Sequence, residues 1–216
     1  MNTETLPGSV QRVSACLAAA GHTQAPRLLD DAARTAQQAA DALGVQLGQI
    51  AKSIIFKRKP DEEAVLVITS GDRRVDEAKV QALVCAPGQK LGRADAEFVR
   101  AKTGFAIGGV APIAHATQPV TLIDRELFRF NTVWAAAGHP HAVFEVTPQD
   151  LQILSDAPVA DVVVCDESPI PSPCTGVCLL ESSSGYCQGC LRTLDEIAAW
   201  GQADEVYKRA VVVQLG

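Results

Sequence analysis

Hydrophobic residues near the start of the chain recur at helical spacing and then change to strand-like runs. Apolar positions three or four residues apart predict two helices, over 10–20 and over 35–43, and each is followed by a glycine suited to a left-handed cap. Two runs rich in β-branched residues, 51–57 and 64–69, then predict neighbouring strands joined by a charged turn.

The next hundred residues alternate irregularly between helical and strand-like patterns. Apolar periodicity predicts helices over 75–84 and 94–102, and Thr147 followed by Pro148 marks the start of another helix. Five short apolar runs predict strands at 105–107, 120–123, 133–136, 142–146 and 159–164. Because the order is not a strict βαβ repeat, we expect an α+β fold, a compact mixed β-sheet with surrounding helices.

Proline and cysteine usage divides the chain into three parts. Residues 1–165 hold the predicted sheet domain, and the three prolines within 166–173 predict an extended linker. Residues 174–216 hold a dense cysteine cluster followed by a predicted C-terminal helix that opens with a capping box at Thr193 and Glu196. The sequence therefore predicts two folded parts of unequal size.

Composition and charge exclude several classes of protein. The 216-residue chain is 47% hydrophobic, yet it contains neither a signal-like start nor an apolar stretch of the roughly 20 residues that a membrane helix needs. We expect a soluble cytoplasmic protein with no membrane partner. The net charge of −6 argues against indiscriminate binding to nucleic acid, although a specific RNA contact stays open. The sequence leaves the oligomeric state open.

Four of the seven cysteines form two close pairs, Cys174 with Cys178 and Cys187 with Cys190. Thiolates at these spacings can converge on one tetrahedral metal ion. Four unrelated buried thiols are the alternative, which we disfavour because so short a segment lacks an apolar core of its own. The spacing does not choose between Zn²⁺ and an iron-sulfur cluster, since both accept four thiolates. A fully ligated site has no open position for catalysis, so its expected role is structural or as a docking surface.

The segment 173–200, PCTGVCLLESSSGYCQGCLRTLDEIAAW, resembles a short bacterial cysteine-rich module often described as a predicted iron-sulfur protein. The resemblance supports a metal-stabilised module and implies no catalytic role for it.

Two motifs of the sheet domain carry candidate chemistry. The stretch TGFAIGGVAPIAH over 103–115 contains three glycines and a proline, which indicate a tight turn, and QIAKSIIF over 49–56 places Lys52 among apolar residues. Taken separately, the turn is explained as well by packing as by a ligand, and the lysine by a surface position with a buried stem.

Together these motifs resemble the YbaK family, which includes the editing domain of bacterial prolyl-tRNA synthetase and its free-standing relatives. The resemblance extends over about 8–160 and includes ARTAQQAADALG, SGDRRVD and WAAAGHPHAVFEVTP in the family's order. It implies hydrolysis of misacylated tRNA in trans, with Lys52 as the functional lysine and with Gly108 and Gly109 on the loop that lines the amino-acid pocket. Within the family the removed amino acid is generally small, so we expect one of the Cys, Ala or Ser type, with tRNA-Pro as a candidate carrier.

Further candidate substrate-binding residues lie in or beside these motifs: Thr35, Ser53, Asp76, Val110, Ala111, Gly138 and His139. Thr35 and Asp76 are equally typical of helix starts, and His139 is typical of a surface turn. Ser53 and Ala111 stand where relatives commonly have other residues, which leaves the preferred amino acid open.

An aminoacyl ester is reactive enough to be hydrolysed by positioned water and oxyanion stabilisation, without a protein nucleophile or a catalytic cofactor. Backbone N–H groups around Gly108 and the Lys52 ammonium are the expected donors, and the ester carbonyl, the ribose and a phosphate are all possible partners of Lys52. We expect aminoacyl-tRNA as a partner, with an aminoacyl-tRNA synthetase as a second candidate. The alternative is a non-catalytic protein that binds tRNA or a nucleotide, with a metal-sensing or redox-sensing C-terminal module.

Overall fold

The computed structural model describes residues 6–29, 35–164 and 170–215. The chain separates into two compact units, Met1–Val164 and Cys165–Gly216, and each is described by itself. Residues 166–169 of the predicted linker lie outside the described residues. The finer limits drawn from the sequence, with a linker over 166–173, stay predictions.

Among residues 6–29 and 35–164, the first unit has five α-helices: α1 Gly8–Ala19, α2 Ala36–Leu43, α3 Glu77–Val84, α4 Ala96–Thr103 and α5 Pro148–Ser155. Side-chain caps explain where most of them begin. Thr35 forms a capping box with Gln38 at α2, and Thr147 accepts a hydrogen bond from the Asp150 amide at α5. Gly44 in left-handed conformation ends α2, as the sequence predicts.

The described part of the same unit contains eight strands: β1 Arg27–Leu28, β2 Ile50–Lys59, β3 Glu63–Ser70, β4 Lys90–Arg93, β5 Val120–Asp124, β6 Val133–Ala136, β7 Ala142–Val146 and β8 Val159–Ala160. They form one mixed sheet in the order β1-β7-β6-β2-β3-β5-β8, with β4 also paired to β2. The pairs β2/β6, β3/β5 and β5/β8 are parallel and the others are antiparallel. The predicted mixed α+β sheet with surrounding helices is confirmed.

Strand β2 is longer than each of the two strands, β6 and β4, that pair with one of its edges. Its other edge pairs with β3 over eight residues, 51–58. On the first edge, β6 pairs only with Ile50 and Ala51, and β4 pairs only with 56–59. Between them, residues 52–55 have no strand partner on that edge within the described part of the chain.

Buried residues cover both faces of the sheet. Val65 and Val67 of β3 face one apolar cluster with α3, whereas Leu66 and Ile68 face the larger cluster that contains α1 and α5. A third cluster joins α2 to β6 through residues such as Ala40 and Trp134. Burial on both faces explains why β3 has a continuous apolar sequence rather than an alternating one.

The second unit contains two helices in its described part, α6 Leu194–Ala199 and α7 Glu205–Leu215. The predicted capping box is present, since Thr193 accepts from the Glu196 amide and the Glu196 carboxylate accepts from the Thr193 amide. Isolated bridges join Leu180 to Cys187 and Tyr186 to Thr193, and so fold the cysteine loop onto the start of α6.

Two predicted strands differ from the structure. Residues 105–107 do not form a strand, because Gly104 ends α4 in left-handed conformation and a turn begins at Ala106. The predicted strand 159–164 is only two residues long in the sheet, and Val163 makes an isolated bridge to Val75 instead. Strands β1 and β4 are absent from the sequence prediction. Among the described residues, no helix is both long and apolar enough to cross a membrane.

Candidate active site

A pocket of about 270 Å³ opens beside the unpaired part of β2. Its walls come from α2, from β2, from the turn at Gly108, and from β6 and β7 with the loop between them. The lining residues are Thr35, Ala36, Ala39, Ile50, Ala51, Lys52, Ser53, Ile54, Gly108, Val110, Trp134, Ala136, Pro140 and Val143. Aliphatic, aromatic and small side chains predominate, and Lys52 is the one ionisable side chain among them.

Lys52 is half-buried in the pocket wall and is held from the end of β3. Its Nζ donates a hydrogen bond to the Arg73 carbonyl at 2.8 Å. Burial lowers the pKa of Lys52 from its ordinary value, and the nearby Asp72 carboxylate opposes that shift. An ammonium has three N–H donors, so further donors remain for an oxygen-rich ligand.

A network of charged side chains orders the segment that receives Lys52. Arg129 binds the Asp72 carboxylate through Nη2 and the Glu126 carboxylate through Nη1, and Glu126 also pairs with Arg73. The Ser70 hydroxyl donates to Asp72 at 2.8 Å. The network fixes the loop after β3 and thereby fixes the carbonyl that orients Lys52.

The turn at Ala106–Gly109 contributes Gly108 to the pocket lining. The Gly109 amide donates to the Ala106 carbonyl at 3.0 Å, and Gly108, the third residue of the turn, has a φ of +88°. That position favours glycine because a Cβ is strained at positive φ. Within residues 6–29, 35–164 and 170–215, the amides of Gly108 and Val110 donate to no other protein group.

Gly109 has a different role from Gly108. A Cβ on Gly109 would lie 2.7 Å from the His139 carbonyl carbon and 2.8 Å from the Pro140 nitrogen. Its backbone therefore packs directly against the loop between β6 and β7. A Cβ on Gly138 in that loop would lie 2.8 Å from the Ser9 carbonyl oxygen. The contacts of Gly109 hold the Gly108 turn against the loop that contains Pro140, and the contact of Gly138 holds that loop against α1.

The structure places five of the predicted site residues on the pocket: Thr35, Lys52, Ser53, Gly108 and Val110. The Ser53 hydroxyl oxygen is buried, and no group in the described residues hydrogen-bonds to it. Thr35 also caps α2, so it serves the helix start and the pocket wall together. These roles in substrate binding stay predictions.

The other predicted residues do not line the pocket: Asp76, Gly109, Ala111, Gly138 and His139. The Asp76 carboxylate accepts hydrogen bonds from the Ala78 and Lys79 amides and thus caps α3. His139 lies beside the pocket residue Pro140, and its Nδ1 accepts from the His141 amide. Their predicted roles in binding substrate are not tested by these positions.

His115 hydrogen-bonds to the segment that follows the glycine turn. Its Nε2 lies 2.8 Å from the Ala111 carbonyl, which can only accept, so Nε2 carries the proton. Its Nδ1 is buried without a hydrogen-bond partner among the described residues, and its ring packs edge-on against Phe105. Burial lowers the pKa of His115 from 6.5, which favours the neutral ring.

The cysteines of the second unit lie close to one another in pairs. Cys178 and Cys174 hydrogen-bond through their side chains, and the charge of Cys174 raises the pKa of Cys178. Backbone groups of Cys190 and Gly189 hydrogen-bond to the Cys187 thiol and lower its pKa, which favours a thiolate there. Across the described residues, no three His, Cys, Asp or Glu side chains form a group arranged to hold a metal ion. The metal site therefore stays a prediction.

Several residues in or near the site are not predicted from the sequence. Trp134, Pro140, Ile50 and Val143 line the pocket. Arg129 binds the carboxylate of Asp72, whose charge acts on Lys52. The parallel register of Ile50 with Trp134 brings these distant segments together, and no local spacing reveals that pairing.

The first unit is thus a mixed-sheet domain in which one lysine and a glycine turn line a small, mostly apolar pocket, an arrangement typical of small-ligand sites. The chain belongs to the aminoacyl-tRNA editing domain family, whose model matches residues 30–154. Residues 172–216 match the model of a second family, described as a protein of unknown function (DUF1289).

The chain is also similar to individual proteins and solved structures. The uncharacterized protein YwhH of Bacillus subtilis (strain 168) is 36% identical over 121 residues, which are 56% of this chain and 74% of YwhH. A crystal structure of a candidate trans-editing enzyme for prolyl tRNA synthetase has a TM-score of 0.68 at 40% identity and covers 74% of this chain and 99% of that one.

A proline–tRNA ligase of Thermoanaerobacter sp. (strain X514) is 30% identical over 94 residues. Those residues are 44% of this chain and only 16% of the ligase. The similarity therefore concerns a small part of the ligase.

Proposed function

We propose that this protein hydrolyses misacylated aminoacyl-tRNA in trans, and that it removes a small amino acid of the Cys, Ala or Ser type. The observation that carries the proposal is the presence of Lys52 and the Gly108 turn on one small pocket of an editing-domain fold. The reaction places the protein with charged tRNA in the cytoplasm. An aminoacyl-tRNA synthetase, first of all one specific for proline, is the second proposed partner.

The proposed chemistry uses donors from two segments that line the pocket, β2 and the Gly108 turn. Water attacks the ester carbonyl carbon, and negative charge develops on the carbonyl oxygen. The Lys52 ammonium and the amides of Gly108 and Val110 supply hydrogen bonds to that oxygen. The bond between the carbonyl carbon and the ribose oxygen then breaks, and the ribose oxygen takes the proton that water gives up. No protein nucleophile and no cofactor takes part.

Pocket size and lining support a small amino acid. The volume of about 270 Å³ lies just below the roughly 300–1,000 Å³ typical of small-molecule sites. Ala36, Ala39 and Ala136 contribute small apolar side chains to the lining. The buried Ser53 hydroxyl could hydrogen-bond to the hydroxyl or thiol of a small amino-acid side chain.

For the second unit we propose a structural metal site held by Cys174, Cys178, Cys187 and Cys190. Four cysteine sulfurs suit either Zn²⁺ or an iron-sulfur cluster, and the backbone hydrogen bonds to Cys187 suit a thiolate ligand. The bound metal would stabilise a unit with few buried apolar side chains, and it supplies no step of ester hydrolysis.

The proposal is tested by incubating the purified protein with tRNAs charged with Cys, Ala, Ser, Thr or Pro and measuring released amino acid. We expect release from one or more of the first three. Lys52→Ala should slow release by about 100-fold or more, the usual cost of removing one transition-state donor.

Lys59→Ala provides the matched control, because Lys59 is exposed at the far end of the same strand. It should release amino acid at the rate of the unaltered protein. Absence of release from every charged tRNA, or equal rates for Lys52→Ala and Lys59→Ala, would contradict the proposed activity and favour a binding protein.

A further inference from the structure

Arg27 lies on β1, at one end of the strand order, and its side chain projects from the face of the sheet that carries the pocket. In the antiparallel register Arg27 stands opposite Val143, and Val143 stands opposite Ala136. Residues directly opposite each other in such a ladder project from the same face of a sheet. Val143 and Ala136 both line the pocket, so the pocket face continues from β6 and β7 onto Arg27.

The Arg27 guanidinium reaches from β1 over β7 to a wall of the pocket. Its central carbon lies 5.4 Å from the centre of the Trp134 ring, in the geometry of a cation-π contact. Trp134 belongs to β6, is buried and lines the pocket, whereas Arg27 is exposed. The ring therefore holds a solvent-accessible positive charge beside the pocket. A guanidinium has five N–H donors in a planar fork, which matches the oxygens of a phosphate.

The pocket itself is too small for a whole aminoacylated nucleotide. Its volume of about 270 Å³ lies just below the range typical of small-molecule sites and suits the aminoacyl group alone. In charged tRNA the amino acid is esterified to the ribose of the terminal adenosine, and the 5′ side of that ribose carries the nearest phosphate. When the aminoacyl group occupies the pocket, the ribose lies at the opening and the phosphate lies outside it.

Two cations approach such a substrate from different strands. Lys52 Nζ donates to the Arg73 carbonyl, which follows β3, whereas the Arg27 guanidinium lies over β6. β2 and β6 are neighbours, so both charges belong to the part of the sheet that lines the pocket. The chain carries a net charge of −6, so its overall charge does not attract a polyanion and local cations have to do so.

We propose that Arg27 binds the phosphate on the 5′ side of the terminal adenosine of charged tRNA, just outside the pocket. The proposal rests on the deacylase function proposed above and adds the part of the substrate that lies beyond the aminoacyl group. It assigns the phosphate to Arg27 and leaves Lys52 for the ester. Arg27 contacts no reacting atom, so it should contribute to affinity and leave the rate of the chemical step unchanged.

The test measures binding to stable analogues of the charged terminal adenosine. In these analogues an amide replaces the ester, and each is made with alanine, serine or cysteine and with or without a 5′-phosphate. Isothermal titration gives the ratio of the affinities with and without the phosphate, at one salt concentration because phosphate contacts are salt-dependent. The protein is the full chain, unaltered or carrying Arg27→Gln, Arg27→Lys or Arg100→Gln.

Arg100→Gln is the matched control, because Arg100 is also exposed but lies on α4, which packs through Val99 against the cluster on the other face of the sheet. In the unaltered protein and in Arg100→Gln, we expect the phosphate to raise affinity by about 10-fold, as a charge-assisted hydrogen bond does. Arg27→Gln should lose this gain, and Arg27→Lys should keep part of it. On charged tRNA, Arg27→Gln should raise the protein concentration needed for half-maximal single-turnover hydrolysis and keep the maximal rate constant.

Three results overturn the proposal. If the 5′-phosphate raises the affinity of Arg27→Gln as much as that of Arg100→Gln, Arg27 only packs on Trp134 and the proposed deacylase function stands. If the phosphate leaves the affinity of the unaltered protein unchanged, the phosphate site fails whatever the variants do, and the deacylase function again stands. If no analogue binds to the unaltered protein, the phosphate site fails together with the proposed pocket for the aminoacyl group.

Discussion

Among single residues, Lys52 combines a proposed role in the reaction with a location that disfavours its charge. Its pKa is lowered because burial outweighs the attraction of Asp72. The unfolded chain therefore binds a proton at this residue over a pH range in which the folded chain has released it, between the lowered pKa and 10.5. Within that range stability rises with pH, and below it the buried charge reduces stability.

Replacing Lys52 should thus separate stability from activity. We expect Lys52→Met to be at least as stable as the unaltered protein near neutral pH and to lack deacylation, because the substitution removes a desolvated charge and keeps the apolar stem. Urea unfolding and amino-acid release measure the two effects. A large loss of stability in Lys52→Met would show that the hydrogen bond to Arg73 mainly holds the fold together.

His115 makes the stability of the fold depend on pH on the acidic side, whereas Lys52 acts on the alkaline side. Its lowered pKa means that the unfolded chain takes up a proton first as pH falls below 6.5, so the stability contributed by the neutral buried ring is lost as pH falls through the folded pKa. His115→Gln keeps a donor for the Ala111 carbonyl but does not titrate.

We expect the unfolding midpoint to fall less steeply below pH 6.5 in His115→Gln than in the unaltered protein. Thermal unfolding across a pH series measures it, with His22→Gln as a control for loss of a histidine elsewhere. Parallel slopes for His115→Gln and the unaltered protein would assign the acid sensitivity to carboxylates instead.

At the scale of elements, the two glycines of the turn predict two different outcomes. Gly108→Ala introduces strain at positive φ, about 1–2 kcal/mol, but meets only Pro140 Cγ at 4.0 Å. Gly109→Ala drives a Cβ into the His139 backbone and should cost about 3 kcal/mol or more.

Gly88→Ala is the matched control for Gly108→Ala, since Gly88 has the same φ of +88° in open space. Both variants should lose similar stability in urea unfolding, and only Gly108→Ala should also slow deacylation. Equal deacylation rates for these two variants would remove the Gly108 amide from the proposed mechanism.

Most elements were predictable because their signals are local. Caps at Thr35 and Thr147 and the apolar runs of β2 and β3 depend on neighbouring residues alone. β4 was not predictable in the same way, since its sequence Lys90–Arg93 is polar and forms a strand only because β2 extends far enough to pair with it. The run 105–107 has a strand-like composition, but the turn that follows and the burial of Phe105 decide its conformation.

The candidate site was predictable only in part, because some of its residues come together through contacts between distant segments. Lys52 and Gly108 lie in motifs whose joint occurrence indicates a family. Trp134 and Pro140 reach the pocket through the non-local pairing of β2 with β6 and the packing of Gly109 on the β6–β7 loop. The Ser53 hydroxyl is buried without a hydrogen-bond partner among the described residues, and its burial likewise depends on residues that are distant in the sequence.

Across the whole molecule, the proposed chemistry belongs to the first unit and the proposed structural metal to the second. A Cys187→Ser, Cys190→Ser double variant should lose metal and keep the deacylation rate on free charged tRNA. Metal content by elemental analysis and amino-acid release measure the two properties. Loss of deacylation in step with metal would show that the second unit takes part in the reaction.

The central claim is that Lys52 acts on the reacting ester rather than merely holding the tRNA. Single-turnover hydrolysis with protein in excess over charged tRNA separates the maximal rate constant from the affinity. For Lys52→Ala we expect the maximal rate constant to fall by about 100-fold or more, with a much smaller change in affinity. An unchanged maximal rate constant with weakened affinity would contradict it.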